Sequence, residues 1–174
     1  MNEQISGILI TGTIGSGKTA IATEIGRLME TFGRPAAIID LDWLGWMSPL
    51  LEGMSVDDLI TRNLMAVWPG FVSAGAEFVV VVRAIERREQ VDAIRNALPD
   101  VRLTTIRLTA SAATIQERLS HRDTGVILAG HLSQSTAMAV AQDEADLEDL
   151  SVENEDRPIS EVARDLLAEV GWIN

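Results

Sequence analysis

Cysteine is absent from this chain of 174 residues, so neither a disulfide nor a thiolate metal site can form. That absence fits a reducing, cytoplasmic compartment. Long apolar runs are missing too. The densest, Phe78–Val82, is strand-length, far short of the roughly 20 residues that cross a bilayer. Met1-Asn2-Glu3-Gln4 carries neither the basic start nor the apolar stretch of a secretion signal, so a cytoplasmic location is expected. Positive charge is scarce: 14 Lys and Arg stand against 26 Asp and Glu. The formal net charge of -12 repels the phosphates of nucleic acid and anionic lipid, and neither is expected as a partner. Apolar residues nevertheless reach 47%, enough for the core of a single domain spanning 1–174.

Scarcity is sharpest for lysine. The only one, Lys18, stands in Gly12-Thr13-Ile14-Gly15-Ser16-Gly17-Lys18-Thr19, and every other basic residue is arginine. The segment fits the G-x-x-x-x-G-K-[ST] phosphate loop. In such a loop successive backbone N–H groups curl around phosphates, and the helix behind aims its positive end at them. The compact ammonium reaches the β- and γ-phosphates, and the Thr19 hydroxyl meets Mg²⁺. Gly12 to Thr19, with Ala20 behind them, therefore predict a nucleoside triphosphate site.

The surrounding pattern supports that placement. Gly7–Thr11, Ala36–Asp40, Phe78–Val82, Arg102–Leu108 and Leu150–Glu153 read as strands. Helical patterns lie at Thr19–Phe32, Val56–Ala74, Arg88–Leu98, Ala113–Ser120, Gly130–Asp146 and Ser160–Val170. Apolar strands separated by helices imply a parallel α/β sheet covered on both faces, with ligands at the carboxyl ends of its strands.

Several side chains fall at those ends. Asp40 and Asp42 close the second strand; in extended chain both carboxylates face one side, toward the phosphates. One could take a proton from an attacking hydroxyl and the other could support the metal shell. Trp43 and Trp46 follow at once, as a substrate wall or as residues packed beneath the next helix. Trp68 is a third tryptophan of a chain with 4% aromatics. Arg83 leaves the third strand and could clamp a substrate or pair with Glu77 or Glu86. Arg62, beside Asn63 in the preceding helix, is a second candidate. Arg118 and Arg122, four apart on one helix face, lead into Thr124-Gly125 and suit a lid over the triphosphate. His121 is read as incidental, and His131 has no partner at ligand spacing for zinc. The acidic run Asp143–Asp149 reads as a solvated helix end.

Together these pieces resemble the P-loop small-molecule kinases with an adenylate-kinase-like core, among them gluconate kinase, adenylylsulfate kinase and chloramphenicol phosphotransferase. The resemblance runs through Ile10–Thr19, the Asp40-Leu41-Asp42 step, Arg118–Arg122, and Asn154–Trp172 with Arg157-Pro158. It implies a three-layer α/β fold with a five-stranded parallel sheet of order 2-3-1-4-5 and a short lid around 118–135. It also implies ATP and Mg²⁺ as cofactors and a small molecule as partner, in a monomer or homodimer. Lys18, Asp42 and Arg122 would be catalytic, and Arg118 and Arg157 would lie on the nucleotide. Thr19 and Asp40 would serve the metal; Asp40, Asp42, Trp43, Trp46, Arg62 and Arg83 would face the acceptor. The expected activity is γ-phosphoryl transfer to a hydroxyl. Alternatives are a nucleotide or nucleoside kinase and a non-catalytic ATP-binding regulatory module. The chain departs from the family pattern in three places: no Asp ends the third strand, few arginines mark the lid, and tryptophans replace the polar residues after Asp42. The last implies a partly apolar acceptor.

Overall fold

The structure, a computed structural model, describes residues 4–50 and 52–173. Met1, Asn2 and Glu3, where the expectation about a secretion signal was read, lie outside them. The strands are β1 (Ile5–Thr11), β2 (Ala36–Asp40), β3 (Phe78–Val82), β4 (Val101–Thr109) and β5 (Leu150–Glu153). The helices are α1 (Lys18–Thr31), α2 (Leu41–Leu44), α3 (Val56–Ser73), α4 (Arg88–Ala97), α5 (Ala112–Arg122), α6 (Gly125–Ala145) and α7 (Ile159–Glu169). All strand pairs are parallel and the sheet order is β2-β3-β1-β4-β5. No helix among the described residues is long and apolar enough to cross a membrane.

Side chains alternate across a strand, so an apolar strand feeds two cores at once. Ile8 and Ile10 of β1 join Phe78, Val80 and Val82 of β3 against α1 and α7. Leu9, Val79 and Val81 face the other way, onto Ile60, Leu64 and Trp68 of α3 and Val91 and Ile94 of α4. Three layers follow from that alternation. Trp68 is 4% exposed in the second core. Trp68→Ala is expected to cost about 3–5 kcal/mol in urea unfolding, whereas Trp43→Ala, at an exposed position, should change stability by less than about 0.5 kcal/mol.

Three expectations are corrected. The chain does not stay extended through Asp42: it turns into α2 directly after Asp40, whose carboxylate caps the turn by accepting from the Asp42 N–H at 3.1 Å. The connection after Arg122 is only Asp123-Thr124, and α6 starts at Gly125 rather than Gly130, so 118–135 forms a helical hairpin. The acidic run is not merely solvated. Asp143 and Glu148 accept from the buried Arg107 of β4 at 2.6 and 3.3 Å, and Asp149 accepts from the Thr105 N–H at 2.7 Å.

Candidate active site

Gly12–Gly17 link β1 to α1 in a loop of tight turns. Gly17 adopts φ 94° as it opens α1, and a methyl group there would run into the Asn154 amide, so both conformation and space demand glycine. Gly17→Ala is expected to distort the loop and weaken nucleotide binding at least tenfold in calorimetry. The Lys18 ammonium folds over the loop, donating to the Gly12 carbonyl at 3.0 Å and the Thr13 carbonyl at 2.8 Å. Thr19 Oγ1 donates to Asp40 Oδ2 at 3.0 Å, joining the loop to the end of β2.

These groups open onto a cavity of about 330 Å³ lined by Lys18, Thr19, Ala20 and three loop residues, and by Asp42, Arg118, Leu119 and Arg122. Its charges perturb one another. Burial pulls the Lys18 ammonium down from 10.5 to about 8, with Asp42 and Asp40 opposing and Arg122 assisting. Burial first, and then the neighbouring Asp40, raises the Asp42 carboxyl above its usual range, against the pull of Lys18 and Arg83. Burial thus acts against the charged form of both groups, the Lys18 ammonium and the Asp42 carboxylate.

The two lid candidates have different surroundings. Arg118 donates to the Asn154 carbonyl at 2.8 Å and more weakly to Gly15 and Ser16 carbonyls at 3.4 Å, bracing the loop from α5. Arg122 is held by Asp123, at 3.1–3.3 Å, and lies 3.3 Å from His131 Nδ1. His131 in turn meets Asp123 at 2.7 Å. Arg83 is buried and bonds Asp57, at the start of α3, rather than Glu77 or Glu86; Arg87 donates to the same carboxylate at 2.9 Å. Asp57 also accepts from the Gln90 amide at 3.2 Å, so its carboxylate is held among Arg83, Arg87 and Gln90. Asp40, Arg83, Trp43 and Trp46 do not line the cavity, and two further candidates are directed elsewhere. Arg157 is exposed and tied to Asp165 and Glu161, and Arg62 lines a separate surface cavity with Glu52, Asp58 and Met65. Trp43 and Trp46 stand exposed beside Asp42, not packed beneath α3.

The loop fits a polyphosphate. Ile14, Gly15 and Gly17 line one cavity with Lys18 and Thr19, and the buried Ser16 Oγ of the same loop has no partner. Thr19 and Asp40 offer a cation two oxygen donors. No group of three or more His, Cys, Asp or Glu among the described residues could hold a metal unaided, so Mg²⁺ would depend on phosphate oxygens.

Sequence reasoning missed Asn154, Asp57, Asp123 and the contacts of His131. Asn154 is buried, and its amide donates to the Ser16 carbonyl at 2.8 Å from 138 residues away. No local pattern announces such a residue. It also missed Ser135 and Gln142, whose side chains pin α6 to the Ile14 carbonyl at 3.0 Å and the Ile85 carbonyl at 2.9 Å. Their polarity on a helix flank offered one signal.

The chain has the fold of the P-loop kinases with an adenylate-kinase-like core. Solved structures similar to it include a gluconokinase from Sinorhizobium meliloti 1021, 23% identical with TM-score 0.62, over 98% of this chain and 94% of that one. The tunicamycin resistance protein of Deinococcus radiodurans is 18% identical with TM-score 0.67, over 96% of each chain. The Mycobacterium tuberculosis APS kinase CysC, solved with AMPPNP and APS, is 20% identical with TM-score 0.62, over 96% of this chain and 98% of that one. No protein-family model matches the chain, and no curated protein matches it significantly.

Proposed function

We propose that this protein is an ATP-dependent phosphotransferase that moves the γ-phosphoryl group to a hydroxyl of a small molecule. The observation that carries the reading is convergence: one cavity is lined by the single lysine, the Thr19 hydroxyl, a basic carboxylate at Asp42 and two arginines. The fold supports it, since kinases for gluconate, APS and shikimate share this architecture. Bound ATP would supply the phosphoryl group, with Mg²⁺ offsetting its charge.

The residues have separable tasks. Main-chain N–H groups of Gly12 to Thr19 hold the phosphate tail. Lys18 leaves the Gly12 and Thr13 carbonyls for the β- and γ-phosphate oxygens, and its ammonium is worth more in this part-buried site than in water. Thr19 and Asp40 would hold the metal ion, which would offset phosphate charge. Asp42 accepts a hydrogen bond from the acceptor hydroxyl and takes its proton as the new O–P bond forms and the β,γ bridge breaks, releasing ADP. Arg122 neutralises charge on the transferred group, and Arg118 steadies the loop and the nucleotide end. Closure of the α5–α6 hairpin as a lid would exclude water.

The test is ADP formation from Mg-ATP across sugars, sugar acids, nucleosides and hydroxylated aromatics, with Asp42→Asn in parallel. Acceptor-dependent turnover that requires Asp42 supports the reading. Tight nucleotide binding without turnover on any acceptor points instead to a regulatory nucleotide-binding module.

A further inference from the structure

The four tryptophans divide sharply. Trp68 and Trp172 are each 4% exposed, whereas Trp43 is 68% and Trp46 74% exposed. The exposed pair stack on one another, with ring centroids 4.9 Å apart and planes 19° apart. They follow the candidate base closely in sequence: Trp43 is the residue after Asp42, within α2, and Trp46 comes just after Gly45, where α2 has ended.

Three ties hold this indole platform in place. Asp40 caps the start of α2. At its other end the Asn63 amide donates to the Leu44 carbonyl at 2.7 Å. Between the two indoles, Gly45 lies so close to α3 that a Cβ there would stand 2.6 Å from Ile60 Cγ1 and 2.8 Å from its Cδ1. Any larger residue would push the turn away from α3. A large apolar surface kept in water by a restrained turn is unfavourable unless something covers it.

Charge narrows the choice of cover. Arg83 and Arg87 each donate through one guanidinium nitrogen to Asp57, and Lys18, Arg118 and Arg122 line the phosphate cavity. An anionic acceptor would meet the negative charges of Asp40 and Asp42. A flat apolar ring would instead gain the indole faces.

We propose that the phosphoryl acceptor is an alcohol carrying an aromatic or similarly flat apolar ring, stacked on Trp43 and Trp46 while its hydroxyl reaches the Asp42 carboxylate. This inference rests on the phosphotransferase reading above and names its substrate class.

A matched pair of acceptors tests it. 1-Phenylethane-1,2-diol and propane-1,2-diol offer the same two hydroxyls and differ only in a phenyl for a methyl group. With Mg-ATP, kcat/KM is expected to favour the phenyl compound by about tenfold or more. In the Trp43→Ala/Trp46→Ala double variant that preference should fall to within about twofold, through KM of the diol. The KM for ATP should hold, and Trp46→Phe should keep part of the preference. Acrylamide quenching of tryptophan fluorescence gives a second readout, independent of turnover: the phenyl diol should shield the exposed indoles and propanediol should not.

Equal use of both diols, or a phenyl preference that survives the double variant, overturns the proposal and leaves phosphoryl transfer standing. Should neither diol yield ADP, quenching decides: selective shielding supports the ring-binding platform, and none overturns it. A sedimenting dimer that becomes a monomer in the double variant would also overturn it, because the pair would then be a subunit contact.

Discussion

Lys18→Ala is expected to lower kcat/KM for Mg-ATP by about 10²–10³-fold, while the ligand-free protein unfolds at the same temperature or higher. On the proposed reading activity and stability part company, because the ammonium would serve the ligand more than the fold. In the free protein burial draws its pKa from 10.5 down to about 8, so the unfolded chain holds that proton more tightly. For such a depressed cation the contribution to stability is complete above the unfolded value, and it is lost as pH falls through the folded one. At pH 7 the charged side chain therefore weighs against the empty fold. A polyphosphate reverses this by raising the pKa again, and binding must take up a proton. At pH 8.5, calorimetry in buffers of different ionisation enthalpy should find net proton uptake on nucleotide binding, and less in the variant. A drop in the unfolding midpoint or a proton count of zero would contradict this account of Lys18.

Asp42→Asn should reduce kcat by about 10²–10⁴-fold with nucleotide affinity changed by no more than a few-fold. The amide keeps the shape and hydrogen-bonding reach of the side chain but cannot accept the proton. The same residue should shape the acid limb of the pH profile. Its folded pKa is raised, first by burial and then by Asp40, and the working form is ionised. The rate therefore falls as pH drops through that raised value, above the usual carboxylate range. Asp40→Asn removes the neighbouring negative charge and should move the limb to lower pH. Full turnover by Asp42→Asn would sink the proton-acceptor role and leave the nucleotide site untouched.

Much of the fold was legible because its signals are local. The bounds of β2, β3 and β5 agree with the expected strands to the residue; β3 is apolar on both faces, and β5 alternates Leu150 and Val152 with Ser151 and Glu153. β1 and β4 run slightly longer than expected because pairing with neighbours recruits Ile5, Ser6, Val101 and Thr109. α2 escaped notice because four residues show no periodicity, and its formation depends on the Asp40 cap. The start of α6 was set too late because its first turn buries little: Val126 and Ile127 stand exposed, so no buried face marks the helix there.

The site was legible in part for the same reason. A phosphate loop is a contiguous string whose glycines, lysine and threonine all act within one turn, so its chemistry survives reading in one dimension. The Asp40–Asp42 step also survived, although by a capped helical turn rather than an extended chain.

What the sequence by itself determined was the alternation of apolar strands with helices, the single ammonium in a glycine-rich turn, and the acids that follow β2. Only the tertiary structure decided that Asp57 meets Arg83, that Asn154 and Arg118 brace the loop, and that Arg157 and Arg62 turn elsewhere. It also decided which tryptophans are buried and which stand beside Asp42. The physical reason is range: backbone conformation and hydrophobic pattern are set within a few residues, whereas a side chain's partner depends on how distant helices dock onto the sheet.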